Sequence, residues 1–241
     1  MDGSRALGGI LPFPTRQWMV ITTLLGVFAP VPMACAPDPL AARQRIVSAI
    51  EQSGGSVTRD LQAEGRPVTK VVLSGKPVAD ARLKDLIGLA ELRDLILRHT
   101  QITDSGLAYL GTMGQLRVLD LDNNRVSDIG LAHLGALTSL RGLYLGGTEV
   151  TDAGLTHLHG LTKLRELALW RTKVTDAGLI NLLTLTNLRF LDLRETGISD
   201  SGLMQLRGLT SLQKLYLTDT KVSNAGAHEL EQALPAAKIL R

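Results

Sequence analysis

The residues best suited to chemistry are three histidines, because imidazole serves both as a metal ligand and as a general base. His133 and His157 lie 24 residues apart, and His159 follows close behind. On two neighbouring helices they could form a surface metal site. The sequence has no HExxH, P-loop, GxGxxG or GxSxG motif. We therefore predict no enzyme activity, no cofactor and no metal, and we keep a metal protein or enzyme that uses these histidines as the second alternative.

Two columns of charged residues recur at the same 24-residue spacing as the histidines. The aspartates could form a calcium ladder, but their place at predicted helix starts favours capping. The arginines could bind anions, yet stacked arginines also lie over neighbouring side chains with their heads in water. We predict structural roles for both columns. The aspartates are Asp80, Asp104, Asp128, Asp152, Asp176 and Asp200, and the arginines are Arg93, Arg117, Arg141, Arg165 and Arg189.

These columns belong to a repeat of 24 residues that runs without insertion from Leu92 to the end of the chain. Each unit opens with L-x-x-L-x-L, whose alternation predicts a strand with one buried face. A hydroxyl residue and an aspartate follow, and then leucines spaced by three, such as Leu155, Leu158 and Leu161, which predict a short helix. A glycine column in the first helical turn indicates close packing between coils. Such units bury their apolar faces only by stacking, so the sequence predicts a solenoid.

The unit matches L-x-x-L-x-L-x-x-N/C-x-L, and over residues 46–241 the chain resembles the leucine-rich repeat proteins. Its T-D-x-G-L segment is similar to the cysteine-containing repeats of F-box adaptors. Threonine at the usual Asn/Cys position resembles bacterial, planctomycete-type members more closely. The resemblance implies an α/β solenoid, a short horseshoe arc with a parallel β-sheet on the concave face and short helices on the convex face. It also implies protein binding without catalysis.

The chain divides into four predicted segments. Residues 1–36 are a signal peptide or lipoprotein leader, because the apolar run Trp18–Ala29 has the length of a signal-peptide core and is short for a membrane span. Cys35, the only cysteine, is the candidate lipidation site. Residues 37–67 are an N-terminal helix and capping segment, residues 68–235 are seven repeats of which the first is degenerate, and residues 236–241 are a C-terminal cap. We expect export to the cell envelope as a lipoprotein or in a secreted form, and disfavour a cytoplasmic protein.

The strand positions that the repeat leaves variable predict the binding site. Aromatic and arginine side chains anchor protein interfaces, and they gather in the later repeats, where Trp170 and Arg194 share a column suited to a cation–π contact. The predicted protein-binding residues on the concave face are Tyr144, Trp170, Arg171, Phe190, Asp192, Arg194 and Tyr216.

We expect an unidentified protein or peptide partner and a monomeric chain. A net charge of +3 is too weak to indicate nucleic acid binding, and membrane contact would come only through the lipid anchor. The first alternative is an intracellular substrate-recognition adaptor similar to the F-box subunits of ubiquitin ligases. It would need a helical domain ahead of the repeats, for which residues 1–45 are too short and too apolar.

Overall fold

The computed structural model describes residues 38–241, where the repeats form one nine-stranded sheet in chain order, β1 to β9. Strand β1 pairs antiparallel with β2, and from β2 onward each strand runs parallel to the next, with leucines such as Leu95 and Leu119 in register. The strands are β1 Ser56–Arg59, β2 Val68–Val72, β3 Asp94–Ile96, β4 Val118–Asp120, β5 Gly142–Tyr144, β6 Glu166–Ala168, β7 Phe190–Asp192, β8 Lys214–Tyr216 and β9 Lys238–Leu240.

One short helix follows each strand from β2 to β8. Some are α-helical, some are 3-10 helices and some change from one to the other. The α-helices are α1 Pro39–Gln52, α2 Leu83–Leu86, α3 Asp104–Leu110, α4 Asp128–Leu134, α5 Asp152–Leu155, α6 Asp200–Leu203 and α7 Asn224–Ala233. The 3-10 segments are Asp80–Arg82, Thr156–Leu158, Asp176–Leu182 and Met204–Gly208. The predicted helix starts are present, because a hydroxyl such as that of Thr151 accepts the backbone N–H two residues later.

The aspartate column connects each coil to the next one, which is a structural role different from the predicted capping. The Asp128 carboxylate accepts the backbone N–H of Thr151 at 2.8 Å and its hydroxyl at 2.6 Å. The same pair of bonds recurs from Asp80 to Asp200. The glycine column leaves room for these carboxylates, since a Cβ on Gly154 would collide with the Asp128 carboxylate. Close packing between coils is thus the reason for the glycines.

The core is a single cluster made largely of leucines. Leucines at the strand and helix positions of the repeats are fully buried, as Leu143, Leu167 and Leu158 show, and each contributes roughly 2 kcal/mol by leaving water. At the N-terminal end Val47 and Ile50 of α1 close this core, and at the other end Ile239 of β9 packs on it. The predicted α/β leucine-rich repeat arc is confirmed.

The predicted leader, residues 1–36, and its candidate lipidation site Cys35 lie outside the described residues. From residue 38 onward, no helix combines the length and apolarity needed to cross a bilayer.

Candidate functional site

Three columns of side chains cover the face of the sheet opposite the helices, which we call the concave face. They flank the buried central leucine of each strand or follow the strand by two residues, so their side chains leave the core. By strand register the first column holds Glu166, Phe190, Lys214 and Lys238, and the second holds Asp120, Tyr144, Ala168, Asp192 and Tyr216. The third, two residues beyond the second, holds Arg98, Asp122, Gly146, Trp170 and Arg194.

Arg171 lies in the turn after β6 and not in one of these columns. Its backbone is left-handed, with φ of 54°, and the equivalent residues Glu195 and Asn123 share that conformation. The Arg171 side chain is exposed and lies 4.0 Å from the Glu195 carboxylate. Arg171 is therefore an exposed turn residue next to the three columns, and its part in binding stays a prediction.

Trp170 takes part in a hydrogen-bond cluster centred on a buried carboxylate. Asp122 is 1% exposed and accepts the Arg98 guanidinium at 2.6 Å and the Gly146 backbone N–H at 2.7 Å. The Trp170 indole N–H donates to the same carboxylate at 3.3 Å. The ring crosses Gly146, whose missing Cβ leaves the space that it occupies. Trp170 thus joins two non-adjacent coils through the carboxylate of Asp122.

Asp120 lies beside this cluster and faces the same guanidinium. Its carboxylate accepts the backbone N–H of Asp122 at 3.0 Å and lies 3.9 Å from Arg98. Burial raises the pKa of Asp120 above its usual value, the Asp122 charge adds to that effect, and the hydrogen bond and Arg98 oppose it. The concave face of the early repeats therefore carries two neighbouring carboxylates, and both already have partners within the chain.

Tyr144 is also occupied by an internal partner. Its hydroxyl donates a hydrogen bond to the Glu166 carboxylate on the neighbouring strand. Burial first, and then the bond to Glu166, raise the pKa of Tyr144 above its ordinary range. Tyr144 therefore stays neutral and acts as a fixed donor within the face.

Phe190, Tyr216 and Arg194 form a cluster that we call the aromatic patch. The Phe190 and Tyr216 rings are 5.2 Å apart between centroids and tilted by 49°, and the Arg194 guanidinium lies 5.5 Å from the Tyr216 centroid. The cation–π contact predicted with Trp170 is thus made with Tyr216 instead. Asp192 is 3% exposed and holds Arg194 through a bond of 2.6 Å, so it positions the patch but presents little surface to a partner.

A shallow groove borders the aromatic patch on the side where the chain enters the strands. Its lining residues are Arg165, Glu166, Arg189, Phe190, Gln213 and Lys214. Phe190 belongs to both the groove and the patch. The site predicted from the sequence omitted both cations. Arg189 was assigned to the structural arginine column, although Lys214 shares the variable strand column of Phe190.

The histidines show no comparable arrangement. His133 is exposed on α4, His157 is half-buried one coil later, and the His159 ring nitrogen contacts the Thr156 carbonyl oxygen at 2.6 Å. Within residues 38–241, no three or more histidine, cysteine or acidic side chains come together as a metal site would need.

Comparison with known proteins identifies the same repeat. Two family models, both described as leucine rich repeat, match residues 114–174 and residues 91–111 and 184–206. No curated protein sequence matches the chain. Among solved structures the chain is similar to internalin C2 from Listeria monocytogenes str. 4b F2365, with a TM-score of 0.56, 21% identity, and coverage of 84% of this chain and 92% of that chain.

A second similar structure is the ectodomain of the plant membrane receptor kinase GASSHO1/SCHENGEN3 from Arabidopsis thaliana. The TM-score is 0.53 at 18% identity, and the alignment covers 76% of this chain but only 25% of that chain. Both structures share the repeat architecture described above.

Proposed function

Since the chain belongs to the leucine-rich repeat family, whose members are generally non-catalytic interaction modules, we propose that it binds a protein or peptide on its concave face. Within residues 38–241 the strands of the arc form one open sheet whose concave face is accessible to a partner. The similar plant ectodomain was solved in complex with CASPARIAN STRIP INTEGRITY FACTOR 2, which supports the general mode of action.

The aromatic patch is the observation that carries this proposal. Phe190 and Tyr216 are only half-buried, although most other large apolar side chains of the repeats are in the core. Arg194 is held in place by Asp192. Rigid aromatic rings beside a positioned guanidinium are typical of the residues that dominate protein interfaces.

The binding test compares three forms of the full chain as bait on cell lysate and envelope fractions: the parent, Phe190→Ala with Tyr216→Ala, and a control. The control is Ile129→Ala with Ile180→Ala, because these helix-side residues are 71% and 62% exposed and also lose apolar area. Circular dichroism verifies that all three fold. We expect a partner that the parent and control retain and the patch variant loses. A partner retained by the patch variant but lost by the control would move the site to the convex face.

Export and lipid anchoring are a second part of the proposal. The apolar run Trp18–Ala29 supports a leader, and Cys35 directly after Ala34 supports a cut that leaves Cys35 at the mature N-terminus. A Cys35→Ser variant tests this through fractionation, fatty-acid labelling and mass spectrometry of the N-terminus. We expect label on the parent alone. An unlabelled, processed parent would indicate a soluble secreted form, and an intact N-terminus in the cytosol would favour the intracellular adaptor.

A further inference from the structure

We infer that the concave site takes an extended, acidic peptide segment, with its carboxylates on Arg189 and Lys214 and an apolar side chain on Phe190. This rests on the proposed function and specifies the chemistry of the partner. Both cations line the groove together with the half-buried Phe190 ring. One short segment could therefore meet cations and ring together.

The groove cations have no internal partner among the described residues. Within residues 38–241, no carboxylate lies within ion-pair distance of Arg165, Arg189 or Lys214. The other arginines of the concave face differ, since Arg98 is paired with Asp122 at 2.6 Å and Arg194 with Asp192 at 2.6 Å. The side-chain cations of the groove are thus available to bind a ligand.

Stacking of the coils brings these like charges together. The Arg189 backbone N–H donates to the Arg165 carbonyl at 2.8 Å, and Phe190, Lys214 and Lys238 are in register on β7, β8 and β9. Neighbouring strands lie about 4.8 Å apart, so the cations repel one another at short range. The residues that line the groove include three cations, Arg165, Arg189 and Lys214, and one carboxylate, Glu166, so the groove carries a net positive charge.

The opposite end of the same face favours a short peptide over a longer polyanion. Asp94 and Asp120 lie half-buried on β3 and β4 and would repel nucleic acid that continued along the sheet. The net charge of the whole chain is only +3, which is low for a nucleic-acid-binding protein. A segment of alternating acidic and apolar residues fits, because an extended peptide places alternate side chains on opposite sides.

The test selects from a displayed library of random linear peptides on the full parent chain and then measures the enriched peptides by fluorescence anisotropy. The groove variant is Arg189→Gln with Lys214→Gln. Its control is Arg117→Gln with Arg141→Gln, which removes the same total charge from the arginine column beside Val118 and Gly142. We expect acidic peptides that bind the groove variant about tenfold more weakly and the control nearly as well as the parent.

Each other result overturns the inference in a distinct way. Neutral peptides lost on Phe190→Ala but retained by the groove variant would refute the acidic partner and leave the concave site standing. Equal weakening by both double variants would assign the effect to bulk charge. Displacement of the peptides by oligothymidylate at equal concentration would assign the groove to nucleic acid. If no peptide is enriched, the peptide segment is refuted, and the capture experiment alone decides the proposed function.

Discussion

The aspartate–glycine contact between coils can be tested by a double-mutant cycle at Asp152 and Gly178. The Asp152 carboxylate accepts the Thr175 backbone N–H at 2.7 Å and the Thr175 hydroxyl at 2.6 Å. A Cβ on Gly178 would collide with the same carboxylate and would meet Leu155 Cδ1 at 3.1 Å. The three atoms nearest to that Cβ all belong to side chains, so removal of the Asp152 carboxylate should remove most of the collision.

The expected magnitudes follow from these contacts. Asp152→Ala loses two hydrogen bonds to a charged acceptor, but the Thr175 groups are exposed and regain water, so we expect a loss of about 2 kcal/mol in unfolding free energy. Gly178→Ala in the parent should cost about 1–2 kcal/mol, since overpacking outweighs the gain in helix propensity. With Asp152→Ala present, Gly178→Ala should cost roughly nothing or stabilise slightly, because the propensity gain remains. The coupling energy should be about 2 kcal/mol.

Urea unfolding followed by far-UV circular dichroism measures all four proteins, with Gly114→Ala in both backgrounds as the control because a Cβ there meets nothing within 4 Å. The control substitution should have the same effect with and without Asp152. If Gly178→Ala costs the same in both backgrounds, within about 0.5 kcal/mol, the carboxylate is not the reason for glycine in this column.

Three further predictions concern buried or titrating polar groups. Asp120→Asn should raise the melting temperature at pH 7, because burial raises the pKa of Asp120 and the stability that it contributes when protonated is lost as pH rises through that value. Asp200→Asn should reduce the fall of the melting temperature at acid pH. The Ser223 hydroxyl and N–H lower the pKa of Asp200, so the stability that its ionisation contributes in the parent is lost as pH falls through that pKa. Asn124→Ala should lower the unfolding free energy, measured in urea, by about 3 kcal/mol, because the buried Asn124 amide makes hydrogen bonds to backbone groups. Asn124→Thr should lower it clearly less, because the Thr148 hydroxyl donates to the Leu145 carbonyl at the equivalent place one coil later.

Each of these three has an outcome that contradicts it. If the melting temperatures of Asp120→Asn and the parent differ by the same amount at every pH, the pKa of Asp120 is not raised by folding. Identical acid limbs for the parent and Asp200→Asn would show that the Ser223 bonds do not bias ionisation. Equal losses for alanine and threonine at Asn124 would mean that the turn gains nothing from a hydroxyl.

The strands, the helix starts and the leucine core follow from sequence because each depends on period alone. A leucine at a strand centre is buried wherever the unit recurs, and a hydroxyl before Asp152 or Asp176 caps a helix for local reasons. The second role of the aspartates was not predicted, since the bond to the next coil depends on how far one coil is displaced from its neighbour. The glycine column was a partial signal, because it already indicated close approach between coils.

The contacts of the concave face were only partly predictable. Shared columns place residues on one face, but they do not fix which way a long side chain turns. Trp170 was expected to meet Arg194, yet it crosses Gly146 toward Asp122, since glycine at that position opens the path. Arg194 instead donates to the carboxylate of Asp192, two residues before it in the chain.

The pairing of Asp192 with Arg194 also determines how mutations in the patch should be read. Asp192 is 3% exposed, so Arg194→Ala would leave a buried carboxylate without its cation and could destabilise the fold by about 3–5 kcal/mol. Loss of binding in that variant would not separate recognition from folding. Arg189 and Lys214 lack this complication, because neither forms an ion pair within residues 38–241, and Phe190 carries no charge. A partner that depends on those three residues while the unfolding free energy stays constant therefore reports on the concave site itself.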